Sequence, residues 1–175
     1  MIRDAALVLL VLVLGLAARL FLFEIAVVKG GSMRSTLENG EVLLVSRLAY
    51  RLGDPQRHDV VICHYPGRMM KRLPFIRQQF VKRVVGLPGD TVEIIDGVVH
   101  INGEALAEPY LDSTRCRFRT NRPPITLGAD EYYVLGDNRD NSNDSRAIGP
   151  IKREMIVGRV ERVLFPFRAW RKIGG

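Results

Sequence analysis

Apolar positions follow two different patterns along the chain. Residues 5–18 read AALVLLVLVLGLAA, and after Arg19 the run LFLF extends the apolar stretch to Phe23. As a helix, residues 5–23 span about 28 Å, close to the hydrocarbon thickness of a bilayer. Beyond Glu24 the pattern changes to short β-branched runs. These fall at 25–28 (IAVV), 42–45 (VLLV), 59–65 (DVVICHY), 80–85 (FVKRVV), 91–95 (TVEII), 98–101 (VVHI), 131–135 (EYYVL) and 155–165 (MIVGRVERVLF). Each predicts a strand. Asp96-Gly97 between two of the runs predicts a hairpin, and Asn102-Gly103 marks the next turn. After residue 24, helical signal is limited to a turn near Ser35–Asn39, and no 20–50-residue repeat is visible. The pattern predicts a mainly β, antiparallel, partly barrel-like domain over 24–175, after one N-terminal transmembrane helix over 1–23.

On pattern alone the apolar segment has two readings. As an anchor, Arg3 and the starting amine favour a cytoplasmic amino terminus, and Arg19 snorkels to the headgroups at the far end. As a cleavable leader, Gly15-Leu16-Ala17 supplies a small-x-small site. The anchor is favoured by the short distance to Ser32, whose chemistry is argued below.

Composition sharpens this picture. A chain of 175 residues supports one domain with a real core. Its 26% charged and 47% hydrophobic residues argue against extensive disorder. The net charge is +7, and Arg3 and Arg19 cancel Asp4 and Glu24, so the excess lies after residue 28. A basic domain joined to an apolar segment suits an anionic membrane surface. Nucleic acid is disfavoured, since no helix-turn-helix or zinc-finger spacing is present. Residues 66–83 hold six Lys or Arg, no acid, and interleaved Met69, Met70, Leu73, Phe75 and Ile76. This reads as a basic loop that either dips into the membrane interface or packs on the domain. Cys63 and Cys116 make no framework and no zinc site, although one bridge between them is open outside the cytosol.

Chemistry concentrates in three places. Ser32 follows Gly30-Gly31, which permits close approach of a substrate. His58, His64 and His100 carry no triad signature. Lysine replaces histidine as a base when burial lowers its pKa. Lys82 is the candidate, on one face with Phe80 and Val84, while Arg83 shares the other with Val81 and Val85. Alternation does not say which of the two is buried, but arginine does not deprotonate to act as a base. The third place is the polar run Gly136–Arg146. A calcium loop fails there: counted from Asp140, Ser145 stands where glycine is needed and Ile151 where glutamate is needed. A buried polar network fits better, with Asp144 paired to Arg146 and Ser142 holding a lysine amine.

In this order the residues resemble type I signal peptidases. The resemblance is carried by GSM-x-x-TL at 31–37, DVVICHYPG at 59–67 and FVKRVVGLPGDTVEI at 80–94. It continues through DGVVHINGEAL-x-EPYL at 96–111 and YYVLGDNRDNSNDSR at 132–146. It implies the signal-peptidase fold, Ser32 as nucleophile, Lys82 as general base, and Ser142 orienting the lysine. It implies Asp144 and Arg146 as braces, structural roles for Asp137, Asn138 and Arg139, and Met33 packed beneath the site. The substrate is expected as an added strand between 25–31 and 79–82, touching Gly31, Met33, Phe80 and Val81. Two positions depart from the family. Ser35 replaces the usual proline, which is expected to loosen the turn. Gly30 stands where some relatives place an oxyanion-hole serine. The single anchor resembles the compact Gram-positive form.

The resemblance further implies removal of signal peptides from exported preproteins, with small residues at −1 and −3, no metal and no cofactor. It places the protein in the cell membrane with its catalytic domain outside, in contact with the secretion translocon. Two rival readings fit less well. A self-cleaving repressor needs a DNA-binding domain where the apolar segment stands. A catalytically dead binding module of the same fold has no need of Ser32, Lys82, Ser142 and Asp144 together.

Overall fold

The structure, a computed structural model, describes residues 4, 7–11, 15, 22–70, 73–117 and 119–174, with backbone alone for 68–70 and 73–77. Most of the 1–23 segment, including Leu16 and Ala17 of the small-x-small site, lies outside the described residues. Asp4, 7–11, Gly15 and Leu22 are helical. Among the described residues no helix is long and apolar enough to cross a membrane.

Two Asx-Gly pairs shape the smaller sheet. Asp96 and Gly97 take φ of 49° and 82°, and Asn102 and Gly103 take 54° and 88°. Two successive left-handed residues make a turn whose twist suits paired strands. They join β5 (Thr91–Ile95) to β6 (Val98–Ile101), and β6 to β7 (Glu104–Ala105). The register sets Val92 against Ile101 and Ile94 against Val99, all on the buried face. β8 (Arg122–Thr126) pairs with β5 at the sheet edge. Its Pro123 and Pro124 lack the amide protons that an inner strand needs. The order is β7-β6-β5-β8.

The larger sheet runs β1-β2-β11-β3-β4-β9-β10, with β12 also on β11. Its strands are β1 (Phe23–Val27), β2 (Val42–Ser46), β3 (Val60–Met70), β4 (Leu73–Gly86), β9 (Glu131–Leu135), β10 (Ile151–Lys152), β11 (Ile156–Phe165) and β12 (Arg171–Lys172). All their pairings are antiparallel. Neither sheet closes into a barrel, so the domain is mainly antiparallel β with open edges. The described residues of the basic stretch expected as a loop, 66–70 and 73–83, belong to the β3–β4 hairpin, paired as far as Met70↔Leu73. Charged side chains leave the backbone free to pair, and the reading from charge missed this.

Alternation along β4 and β9 holds two cores together. Val84 and Val134 join one cluster with Val61, Cys63 and Ile156. Val85, Tyr133 and Leu135 join a second with Val92, Ile94 and Val99. A third cluster, with Met33, Leu37, Leu43, Val45, Ile62 and Val163, lies under β2 and β11. Cys63 is buried in the first of these, Cys116 is half-buried, and both thiols are free, so the bridge left open above is not formed.

Candidate active site

Ser32 sits on a turn over residues 32–36, held from behind rather than by helix. Thr36 and Leu37 amides donate to Met33 O at 3.0 and 2.8 Å. Met33, 2% exposed, plugs the turn into the core. Asn138 fixes the front: its amide donates to Ser32 O at 3.0 Å and its Nδ2 to Gly31 O at 2.9 Å. Among the described residues the Ser32 N–H meets no acceptor, which leaves it free for a developing oxyanion. Gly30, at φ 96°, donates its amide to Asn39 and offers no hydroxyl. Ser35 takes φ 90° and its Oγ donates to Tyr110 O at 3.2 Å. Proline, locked near −65°, does not reach that conformation. The departure from the family pattern therefore gives a differently shaped, tethered turn rather than a loosened one.

Lys82 arrives from β4 and is 2% exposed. Its Nζ donates to Ser32 Oγ at 2.7 Å and to Val81 O at 2.9 Å. Burial drives its pKa down to about 8, against the pull of the Asp144 and Asp137 carboxylates and with help from Arg146. The Phe80 ring, edge-on to Tyr65, stands 5.3 Å from Nζ and keeps that side dry. Val81 is half-buried against the core beneath Met33.

Arg83 is buried as well, so strand alternation hides a lysine and an arginine on opposite faces of β4. The arginine is fully paired. Its Nε and Nη2 donate to the two Asp137 oxygens at 3.0 and 2.7 Å, and its Nη1 donates to His58 O at 2.8 Å. The guanidinium stacks on the Tyr110 ring at 3.8 Å. Thr36 Oγ1 donates to Asp137 and ties the Ser32 turn to the same carboxylate. Arg139 pairs with Glu108, and Tyr110 donates to Glu108 at 2.7 Å.

Asp144 caps the short helix α2 (Ser145–Ile148), with α1 (Ala49–Leu52) the other α-helical turn after β1. Arg146 donates to it through Nε and Nη2, both at 2.8 Å, and the Gly136 amide donates at 3.1 Å. Burial alone would raise the carboxyl pKa, but the Arg146 contacts, with Ser142 and Gly136, overcome it and keep Asp144 ionised. Ser142 is placed differently from expectation. Among the described residues its Oγ is buried and makes no hydrogen bond to Lys82. It faces Asp144 and packs against Gly136, where a Cβ would lie 2.2 Å from Ser142 Oγ and 2.5 Å from Ser32 O.

Gly136, Thr36, Tyr110 and Glu108 were not singled out from the sequence as site residues. The signal was there for all four: Gly136 opens the polar run, Thr36 follows Ser32 in GSM-x-x-TL, and Glu108 and Tyr110 stand in the EPYL of the 96–111 motif. Of the three histidines, His58 packs edge-on to Tyr110. Among the described residues no group of three His, Cys, Asp or Glu comes together as a metal site.

Comparison with known proteins identifies the family. The model of the family described as signal peptidase, peptidase S26, matches residues 1–165. A probable signal peptidase I-1 of Synechocystis sp. is 34% identical over 98% of this chain and 86% of its own. A signal peptidase I of Bacillus licheniformis is 36% identical over 94% of this chain and 89% of its own. A crystal structure of a signal peptidase I from Enterococcus faecalis is 34% identical, covers 64% of this chain and 97% of its own, and superposes with a TM-score of 0.47. With a match this long to the family and relatives this similar over most of their length, the chain belongs to the signal peptidase S26 family of serine peptidases.

Proposed function

We propose that this chain removes signal peptides from exported preproteins through a Ser32–Lys82 dyad. The 2.7 Å contact between the lysine amine and the serine hydroxyl carries the reading, in a setting that holds the lysine near pKa 8. Neutral Lys82 takes the Ser32 proton as Oγ attacks the scissile carbonyl. The Ser32 N–H meets the oxyanion. Protonated Lys82 gives its proton to the leaving amine, then the neutral amine activates water to release the acyl group. Ser142, Asp144, Arg146 and Asp137 support the dyad. Arg146 offsets Asp144, and Asp137 locks Arg83 beside the lysine.

The substrate lies extended between 25–31 and 79–82, with small residues at −1 and −3 beside Gly31, Met33, Phe80 and Val81. Two features favour this path. β1 is the sheet edge, and β9 pairs with β4 only from Arg83 onward, so among the described residues 79–82 pair with β3 alone. Residues 1–23 act as a single-pass anchor with a cytoplasmic amino terminus, and the domain over 24–175 works outside, on an anionic membrane surface and in contact with the translocon. The membrane placement is supported by Phe23, Ile25, Val27, Phe165, Phe167 and Trp170, all 41–76% exposed.

The test is cleavage of a purified preprotein by wild type, Ser32→Ala and Lys82→Ala. Both variants are expected to lose activity by about a thousandfold or more. Turnover by either within about tenfold of wild type sinks the dyad.

A further inference from the structure

The β3–β4 pair and the polar run after β9 meet beside the dyad. The register sets Val61 against Lys82 and Cys63 against Phe80. Alternation therefore puts Val61, Cys63 and Tyr65 on one face of the sheet with Phe80 and Lys82. On that face Tyr65 meets Phe80 edge-on at 5.4 Å, and the Phe80 ring stands 5.3 Å from Lys82 Nζ. Asn143 reaches the same place from the polar run. It lies between Ser142 and Asp144, and its Nδ2 donates to Tyr65 Oη at 2.6 Å. A chain of contacts thus runs from Asn143 through Tyr65 and Phe80 to the amine that is 2.7 Å from Ser32 Oγ.

We propose that Asn143 and Tyr65 form a latch that holds the Phe80 ring in place and so limits the size of the side chain accepted at −1. The inference rests on the signal-peptide reading above. Both are positioning residues, acting through Phe80 rather than on the reacting atoms. Phe80 packs from below on the cluster of Val61 and Cys63, and from the side it meets Tyr65. Tyr65 is only half-buried, and the hydrogen bond from Asn143 restrains its ring. With the latch closed, the ring wall leaves room for a small side chain beside Ser32. With it open, Tyr65 and then Phe80 give way, and a branched side chain fits. Water then reaches Lys82 too, and its pKa rises from about 8 toward 10.5. The titratable and charged groups that act on Lys82 are Asp144 and Arg146 from the α2 end, Asp137 after β9 and Cys63 on β3. Opening the latch removes none of them.

The test compares wild type with Asn143→Ala, Tyr65→Phe and the double variant, each purified in detergent and checked for folding by circular dichroism. Two preproteins differ only at −1, with Ala or Val, and kcat/KM is measured on both across the acidic limb. One hydrogen bond is worth a factor of roughly two to ten. Each single variant is therefore expected to narrow the preference for Ala over Val by about fivefold, and to move the acidic limb up by about half a pH unit. The double variant is expected to match the singles, because all three lose the same contact. Tyr65→Phe keeps the ring against Phe80, so its effect reports the hydroxyl alone. Asn143 is exposed, so Asn143→Ala carries the test if Tyr65→Phe does not fold. An Ala-to-Val ratio and an acidic limb that stay at wild-type values in the folded variants overturn the proposal, even if the rate falls. So does a double variant whose change is the product of two independent effects. Failure of folded wild type to cleave either preprotein strikes instead at the signal-peptide reading.

Discussion

Two regions of this molecule invert the usual distribution of polarity. Around β4 the interior is polar: Lys82, Arg83, Asp137, Asn138, Arg139 and Asp144 are each no more than 7% exposed. On the outer face of β1 the surface is apolar, with Phe23, Ile25 and Val27 at 41–54% exposure. The interior is tolerated because nearly every charge has a partner at hydrogen-bonding distance: Arg83 has Asp137, Arg139 has Glu108 and Arg146 has Asp144. Lys82 differs, since its contacts are a hydroxyl and a carbonyl. Among the described residues Lys82 is the buried cation that hydrogen-bonds no carboxylate, and its proton is easily lost, which is the requirement for a base. The outer face has no such internal compensation and calls for a different medium.

Replacing Lys82 by Met is expected to produce the largest effects, in opposite directions. Activity falls by about a thousandfold or more, because no base remains. Stability rises. Lys82 has a folded pKa near 8 and an ordinary value of 10.5. Between these values the unfolded chain holds the proton and the folded chain does not, so wild-type stability falls as pH drops from 10.5 to 8 and levels off below. The accumulated cost is about 3 kcal/mol. Denaturant titrations of the two proteins should therefore diverge as pH falls through that window. Parallel curves would mean that Lys82 is not desolvated. Wild-type activity should show an acidic limb with its midpoint near pH 8.

Asp137→Ala attacks the paired interior instead. It strands the Arg83 guanidinium and removes the acceptor of Thr36 Oγ1, at an expected cost of about 3–5 kcal/mol in denaturation. The double variant Asp137→Ala with Arg83→Met should recover part of that loss, since no unpaired charge is left behind. A double variant as unstable as the sum of the singles would show that the two side chains act independently.

Much of this was legible in the sequence. Strands with strong alternation or Asx-Gly turns, such as β5 and β6, appear at the expected residues. The two-residue strands β7, β10 and β12 were missed because two residues carry no period, and β8 because its prolines argue against an inner strand. Ser32 and Lys82 were readable as a pair from motif and chemistry, and the structure brings them to 2.7 Å. Strand alternation was silent on whether Lys82 or Arg83 is buried, and the answer is both, because β4 lies between cores on its two faces. Ser142 was expected on Lys82 and instead packs on Gly136, which no sequence pattern of short polar residues specifies. Ser35 was judged by the proline it replaces, although its left-handed backbone depends on the tether to Tyr110.

The smallest expected effect on folding, and the one that isolates the outer face, comes from Ile25→Thr with Val27→Thr. Both side chains point away from the core, since the inward positions of β1 are Glu24 and Ala26. Threonine keeps the β-branched shape that a strand prefers. Stability should therefore change by no more than about 0.5 kcal/mol. The register brings Val27, Val42 and Phe165 into one row across β1, β2 and β11, so the two substitutions interrupt a continuous apolar surface rather than isolated residues. Sedimentation with vesicles containing anionic lipid should fall measurably for a chain lacking residues 1–21, provided circular dichroism shows that this chain folds. The truncation removes the contribution of the apolar segment. Unchanged vesicle binding by a folded double variant would mean that this face meets something other than lipid, and a large loss of stability would mean that it is part of the core after all.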